Sequence, residues 1–499
     1  MSSSEFDVVV VGAGNAAMCA AIAASEAGAK VLMLERAPEE ESGGNTRFTA
    51  GGIRVTYDGV EQLKQLMPDP TEEELATTDF GSYGNEQFFD DMFRVTAYRT
   101  DPDLCEQLVT RSFDTLHWLT AKGVRLVPIY GRQTFQVGGI KKFWGGVTVE
   151  SWGGGPGLVS QETAIARRQG VEIRYGVRAL SLLTDRRAVT GLKVRIGRDT
   201  AEIRAGAVVL ASGGFQANAE WRTRYLGPGW ELAKVRGSRF NTGDGIRMAL
   251  EAGASPCGNW SGCHACEWDY NAPEFGDLAV GDGFQKHSYQ LGIMVNATGR
   301  RFVDEGADLR NYTYAKYGRI ILNQPNQFAW QVFDRKVIGL LRDEYRIKQV
   351  SKVQANSLEE LAGKLEGVDA RTFLAEVARY NEAVMTEVPF DGTVKDGRGT
   401  RGLEIPKSNW AHRVDEPPFE AYQVGCGITF TFGGLRVEAA SAQVIDDDLS
   451  PIPGLYGAGE LVGGLFYFNY PSGTGLMSGA VFGRNAGAAA AKAALAPRS

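Results

Sequence analysis

The stretch FDVVVVGAGNAAMCAAIAASEAGAKVLMLER, residues 6–36, constrains the fold of this chain more than any other. It reads in order as strand, tight turn, helix, strand. Residues 8–11 are an unbroken β-branched run, the pattern of a strand buried on both faces. The alanine-rich stretch 16–27 ends before Gly28, a helix stop. Residues 31–34 are the next short strand. The turn has the form Gly12-x-Gly14-x-x-Ala17. Gly12 permits the sharp turn, Gly14 lets backbone approach a pyrophosphate, and Ala17 lets the helix pack closely on the strand. Asn15 and Ala16 stand at the helix start, where unpaired N–H groups and the positive dipole end favour phosphate. Glu35 follows Gly14 by 21 residues and precedes Arg36. A carboxylate there accepts hydrogen bonds from ribose hydroxyls and disfavours a 2′-phosphate. Together these features predict a dinucleotide cradle on a parallel, Rossmann-like sheet.

The next segment separates FAD from NAD. Residues 41–52, ESGGNTRFTAGG, supply Gly43, Gly44, Asn45, Thr46, Gly51 and Gly52. A flavin needs a second backbone-rich loop along its pyrophosphate and ribitol, whereas a nicotinamide enzyme usually continues into an ordinary helix. Residues 170–215 read as short strands with turns at Asp185-Arg186 and Gly197-Arg198, ending in a buried strand at 207–211 and the turn Ser212-Gly213-Gly214. TGDGIRMALEAGA, 242–254, begins a helix after another glycine turn. GLYGAGELVGG, 454–464, is strand, turn, then Glu460. A second glycine-rich loop, GGLFYFNYPSGTGL, lies at 463–476, and GAVFGRNAGAAAAKAAL has the small residues of a closely packed helix.

Bulk properties agree. The chain has 499 residues, enough for two or three domains, and 63 glycines set within apolar segments. Its formal charge of −7 is scattered, without the clustered basic face that nucleic acid requires. Six cysteines without regular spacing fit a reducing compartment. The N-terminus shows no basic region followed by an apolar one, and no apolar run reaches the ~18 residues that span a bilayer. These features predict a cytoplasmic protein that does not span a membrane.

The motifs together resemble the fumarate reductase/succinate dehydrogenase flavoprotein superfamily. Its members carry the N-terminal fingerprint, a GGNS…GG loop, an A(T/S)GGF strand end, TGDG, and a C-terminal GLYAAGE…GG…FGR. All appear here in order between residues 6 and 484. The resemblance implies an α/β fold in which a Rossmann-like FAD-binding domain is split by an inserted α+β capping domain. The expected divisions are 1–272 and 429–499 for the FAD-binding parts and 273–428 for the cap. By the same resemblance, FAD contacts fall on the residues named above and on Val177, Ser212, Gly213, Asp244, Glu460, Gly475 and Leu476. Relatives that link FAD covalently use a histidine where this chain has Asn45, which implies non-covalent FAD.

In such enzymes a hydride moves between flavin and a substrate carbon while another group moves a proton at the adjacent carbon. The cap motif NATGRRFVDEGADLRNYTYAKYGR, 296–319, sets Arg310 within about one position of the family's proton-transferring arginine. Arg301 and Glu305 form a candidate relay behind it, and Tyr312 and Tyr314 are alternative proton carriers. The family's carboxylate-holding histidine and arginine are replaced here by Thr429-Phe430 and by Tyr470, so a strict fumarate reductase is not expected. The segments GGNTRFTAGG, GITFTFGGL and NYPSGTGLMSGAVFGR most resemble tricarballylate dehydrogenase-like flavoproteins. Tyr470-Pro471-Ser472-Gly473 also resembles the YPGPG loop of 3-ketosteroid dehydrogenases, in which tyrosine and glycine polarise a ketone.

The expected activity is therefore oxidation or reduction of a CH–CH bond beside a carboxylate, with a polycarboxylate substrate and a separate electron acceptor, protein or quinone. Two alternatives stand beside it: a ketosteroid or enone enzyme using Tyr470, and a flavin-bearing electron-transfer accessory protein. Expected substrate contacts are Arg301, Thr429, Tyr470, Gly473 and His264. Further cations that could serve a carboxylate are Arg47, Arg54, Lys141, Lys142, Arg310 and Arg319. The pattern of Cys257, Cys263 and Cys266 around His264 is compatible with zinc or iron–sulfur, but it lacks a fourth ligand at regular spacing and is read as packing, with no metal. His287 and His412 carry no signal.

Overall fold

The structure, a computed structural model, describes residues 6–497. At its centre is a parallel sheet in the order Glu172–Arg174, Val31–Leu34, Phe6–Val11, Asp199–Leu210, Pro451–Gly457. Val8 lies opposite both Val31 and Ala207, and Val8, Val9 and Val10 are wholly buried. This is why the β-branched run has no polar alternation. The strand Asp199–Leu210 serves two layers. Its first half closes an antiparallel meander with Val177–Asp185 and Ala188–Ile196, and its second half joins the parallel sheet. The meander's turns fall at 197–198, as expected, and at 186–187, one residue beyond the expected Asp185-Arg186, because Asp185 still pairs with Ala188 in the ladder.

Leu455 pairs with Val208, so the C-terminal segment completes the sheet begun at the N-terminus. The helix Thr474–Leu495 then lies on the helix Asn15–Glu26. The contact is backbone against backbone. A methyl group at Gly483 would overlap the Ala16 carbonyl oxygen, and one at Gly487 the Ala20 carbonyl oxygen. At Gly479 it would meet the Asn15 side-chain nitrogen at 2.9 Å. The i, i+4, i+8 spacing places all three on one helix face.

A second sheet is organised by the long strand Phe419–Leu435. It pairs antiparallel with Pro256–Asp269, Ala329–Phe333 and Lys352–Ala355, while Ile293–Asn296 extends the sheet beyond Ala329–Phe333. The ladder between Pro256–Asp269 and Phe419–Leu435 starts beside the parallel sheet, where Ser255 N–H donates to Ile445 O at 2.8 Å. Along it His264 faces Phe430. The helix Tyr314–Leu322 crosses this ladder, with Gly318 set against the backbone of Ala265 and Cys266.

Gly483→Ala is expected to destabilise the protein by about 1–3 kcal/mol, the usual result of overpacking, and to release FAD. Thermal unfolding and the flavin-to-protein ratio after gel filtration measure both effects.

Candidate functional site

Both glycine-rich ends open onto one cavity of about 260 Å³. The first turn contributes Gly12, Gly14, Asn15 and Ala16, and the second strand ends there in Glu35 and Arg36. Val177, Ser212, Gly213 and Asp244 form the adjoining wall. Gly44, Asn45, Thr46 and Gly52 follow, then Thr429, Glu460, Gly473, Gly475 and Leu476. His264, Arg310, Tyr314 and Tyr470 also line it. Gly43 and Gly51 do not: Gly43 is packed against Arg47 and Val159, and Gly51 against Gly154.

The wall fits FAD. Gly12 has φ +116°, and any side chain there would overlap the Ala211 carbonyl oxygen. The helices Asn15–Glu26, Asp244–Glu251 and Thr474–Leu495 all begin at the wall, which suits phosphate. Ser212 Oγ is buried without a hydrogen-bond partner among the described residues. Glu35 accepts the Ala37 N–H at 2.7 Å, and burial raises its carboxyl above the usual range. Asn15 donates its side-chain N–H to Leu476 O at 2.7 Å, and its backbone N–H to Thr46 Oγ1 at 3.1 Å, tying three loops together. Asn45 donates to Thr429 O at 2.5 Å and accepts the Ser238 N–H at 2.9 Å. Its amide is engaged at both ends, as suits a cofactor held without a covalent bond.

Arg310 is 5% exposed, and its Nε has no partner among the described residues. Its guanidinium lies 5.6 Å from the ring centre of Trp144 and 5.4 Å from that of Tyr314, so aromatic faces stabilise the buried charge. Burial pulls the guanidinium below its ordinary pKa. The sequence reading misses the second cationic group. Arg236 donates Nε to Asp282 Oδ1 at 2.9 Å, and Arg132 donates Nη1 to Asp282 Oδ2 at 2.6 Å. Gln285 also donates to Asp282, at 2.7 Å, and Arg236 reaches Thr429 Oγ1 at 3.3 Å. All four of Arg132, Arg236, Asp282 and Gln285 line the cavity. Two guanidiniums thus share the Asp282 carboxylate, and Glu344 and Glu150 also act on Arg132.

Tyr470 sits in an aromatic box. Its ring centre is 5.1 Å from His264, 5.1 Å from Phe430 and 5.2 Å from Phe466. Its hydroxyl accepts the Gly475 N–H at 2.9 Å. That bond uses a lone pair and leaves the hydroxyl proton free for another acceptor. His264 is 1% exposed, and burial drives it far below the usual imidazole pKa, so it is neutral.

Other expected residues lie elsewhere. Tyr312 does not line the cavity; its hydroxyl donates to Asp91 at 2.8 Å. Residues 310–312 form one 3-10 turn, whose three-residue period points residues 310 and 312 in different directions. Arg301 is buried against Glu305 at 2.5 Å and donates to Ile405 O, away from the cavity. Glu305 is occupied by Arg301 and the Met294 N–H, not by Arg310. Arg47, Arg54, Lys141, Lys142 and Arg319 do not reach the cavity either. Arg54 is wholly buried, held by Tyr83, Asp91, Gly145 O and Ser472 O, and it supports the Tyr470 loop from behind. Cys263 and Cys266 are buried thiols pushed up to about 12 by burial, and Cys257 is half-buried. No group of three or more His, Cys, Asp or Glu among the described residues is disposed to hold a metal.

The FAD binding domain family matches residues 7–476. The chain belongs to the fumarate reductase/succinate dehydrogenase flavoprotein superfamily. This flavoprotein is 30% identical over 490 residues to the fumarate reductase (cytochrome) of Shewanella frigidimarina, covering 97% of this chain and 77% of that one. It is 26% identical over 553 residues to 3-oxosteroid 1-dehydrogenase of Mycobacterium tuberculosis, covering 94% and 95%. The open conformation of a flavocytochrome c3 fumarate reductase matches with a TM-score of 0.72 and 29% identity, over 98% of this chain and 79% of that one. The flavoprotein is an FAD-dependent oxidoreductase acting on CH–CH groups. No helix among the described residues is long and apolar enough to cross a membrane.

Glu460 faces the cavity, and burial pushes its carboxyl up to about 7. A raised acid stabilises the fold below the unfolded value of 4.5, and that contribution is lost as pH rises through about 7. The parent protein is therefore expected to lose up to about 3 kcal/mol between pH 4.5 and 8 relative to Glu460→Gln. Thermal unfolding across that range reads the difference; parallel curves for the two proteins would contradict it.

Proposed function

We propose that this flavoprotein introduces or reduces a C=C bond beside a carboxylate in a small polycarboxylic acid, as tricarballylate dehydrogenase-like enzymes do. The observation that carries this is Arg310, a buried guanidinium in the cavity wall with its Nε unpartnered among the described residues. The two guanidiniums that share Asp282 in the Arg132–Asp282–Arg236 group support it, since charge-assisted bonds to arginine are the strong ones for carboxylates.

FAD, when bound, supplies the ring that accepts or gives the hydride. Arg132 and Arg236 hold a carboxylate, and Tyr470 donates its free hydroxyl proton to a substrate oxygen. Arg310 moves the proton at the carbon next to the one exchanging hydride. Tyr314 also faces the cavity, but burial pushes its hydroxyl up, whereas burial pulls Arg310 down toward working pH. A general acid or base gains efficiency as its pKa nears that pH. The aromatic walls shield the site from water. In this reading residues 273–428 form the cap, electrons pass to a separate protein or quinone, and the protein works in the cytoplasm.

A second reading rests on the neutral box around Tyr470 and on the similarity to a 3-oxosteroid 1-dehydrogenase. There the Tyr470 hydroxyl polarises a ketone. Anaerobic bleaching of the flavin absorbance separates the two. Tricarballylate and related saturated polycarboxylates are expected to bleach it, and Arg310→Gln to slow bleaching by at least about 10²-fold with FAD retained. Bleaching by ketosteroids alone assigns the second reading. Silence from both sets, with reduction only by a protein partner, assigns an electron-transfer accessory.

A further inference from the structure

A second cavity, of about 170 Å³, adjoins the first across Arg132, which lines both. It lies between residues 131–136 and the 287–291 and 340–342 segments. Its wall holds three buried polar atoms without partners among the described residues. His287 is 1% exposed, and neither ring nitrogen has a hydrogen-bond partner among the described residues. Gln290 is 4% exposed with its side-chain oxygen equally unpartnered. The Arg342 guanidinium forms no ion pair with any described residue. Burial and the neighbouring charge of Arg310 pull it down to about 9, so it stays charged at neutral pH. His287 is held neutral by burial and by Arg310, and a neutral imidazole still offers one N–H donor.

Cations outnumber full anions here. Arg132, Arg236, Arg310 and Arg342 are cations, whereas the carboxylates facing them are Asp282, Glu344 and Glu150, the last pushed up to about 7 by burial. Glu267 is held protonated by burial, and Lys286 and Asp269 neutralise each other at 3.4 Å. An excess of positive charge thus remains around the wall the two cavities share, where Arg132 and Arg342 are partly buried, and such an excess favours an anionic ligand.

We infer that this second cavity is a carboxylate subsite, in which Arg342, His287 and Gln290 receive the carboxylate of a polycarboxylic substrate farthest from its reacting CH–CH bond. The inference rests on the reading of the main cavity as the reaction site for an acid. Arg132, shared by both cavities, then lies between the two ends of the ligand. A monocarboxylate would leave the subsite empty.

Calorimetric titration of citrate, a non-reacting tricarboxylate, into the FAD-loaded protein tests the subsite directly. Arg342→Gln is expected to weaken citrate binding by about tenfold or more, and Arg342→Lys to recover part of it. Arg346→Gln removes an exposed cation four residues on and is expected to change nothing. The same Arg342→Gln variant is expected to raise KM for tricarballylate about tenfold while kcat is kept. No citrate binding by the parent, equal binding by Arg342→Gln, or an equal loss in Arg346→Gln overturns the subsite. Arg342-dependent citrate binding without bleaching by any acid keeps the subsite and removes the proposed reaction. Bleaching by polycarboxylates with citrate binding indifferent to Arg342 does the reverse.

Discussion

The rest of the structure depends on the contact between the first helix and the last. Gly479, Gly483 and Gly487 bring the helix Thr474–Leu495 against Asn15, Ala16 and Ala20 at backbone distance. Larger side chains would hold the helices apart, and the two helix starts would no longer share one cavity. Asn15 converts that proximity into a specific bond by donating to Leu476 O. The same geometry places Gly475 where its N–H meets the Tyr470 hydroxyl. A packing constraint made of small residues thus sets the position of a polar group in the cavity wall.

The second organising fact is the cost of buried charge. A guanidinium removed from water is stable only with partners or with a favourable field. Arg54 meets this condition fully, with Tyr83, Asp91 and two carbonyls around it. Arg236 meets it through Asp282. Arg310 meets it only in part, between Trp144 and Tyr314. The contrast separates arginines that hold the fold from one whose Nε has no partner among the described residues. It also explains why Arg54, a candidate cation by its place in the sequence, serves instead as a support for the Tyr470 loop.

Much of the FAD site was legible because its signals are local. The turn at Gly12 and Gly14, the acid at Glu35 and the turn at 197–198 each follow from a few consecutive residues, whereas the other meander turn falls one residue beyond Asp185-Arg186. The union of the two glycine-rich ends came from family resemblance, since no local pattern pairs Leu455 with Val208. The substrate end was far less legible. Arg132 meets Asp282 across 150 residues, and Arg236 meets it across 46, so no spacing marks the group. Tyr312 looked as suitable as Arg310 because residue type alone does not reveal the 3-10 turn that sends it to Asp91. His287 has no motif around it; only burial without a partner distinguishes it.

In the proposed reaction, the arginines beside the flavin site receive a carboxylate. A crystal structure of the FAD-bound protein with a slowly reacting polycarboxylate tests it most directly. A carboxylate oxygen is expected within about 3 Å of an Arg310 or Arg236 nitrogen, with a ligand carbon facing the flavin ring. A ligand held only by Tyr470 and the aromatic box, with both arginines turned away, would contradict it.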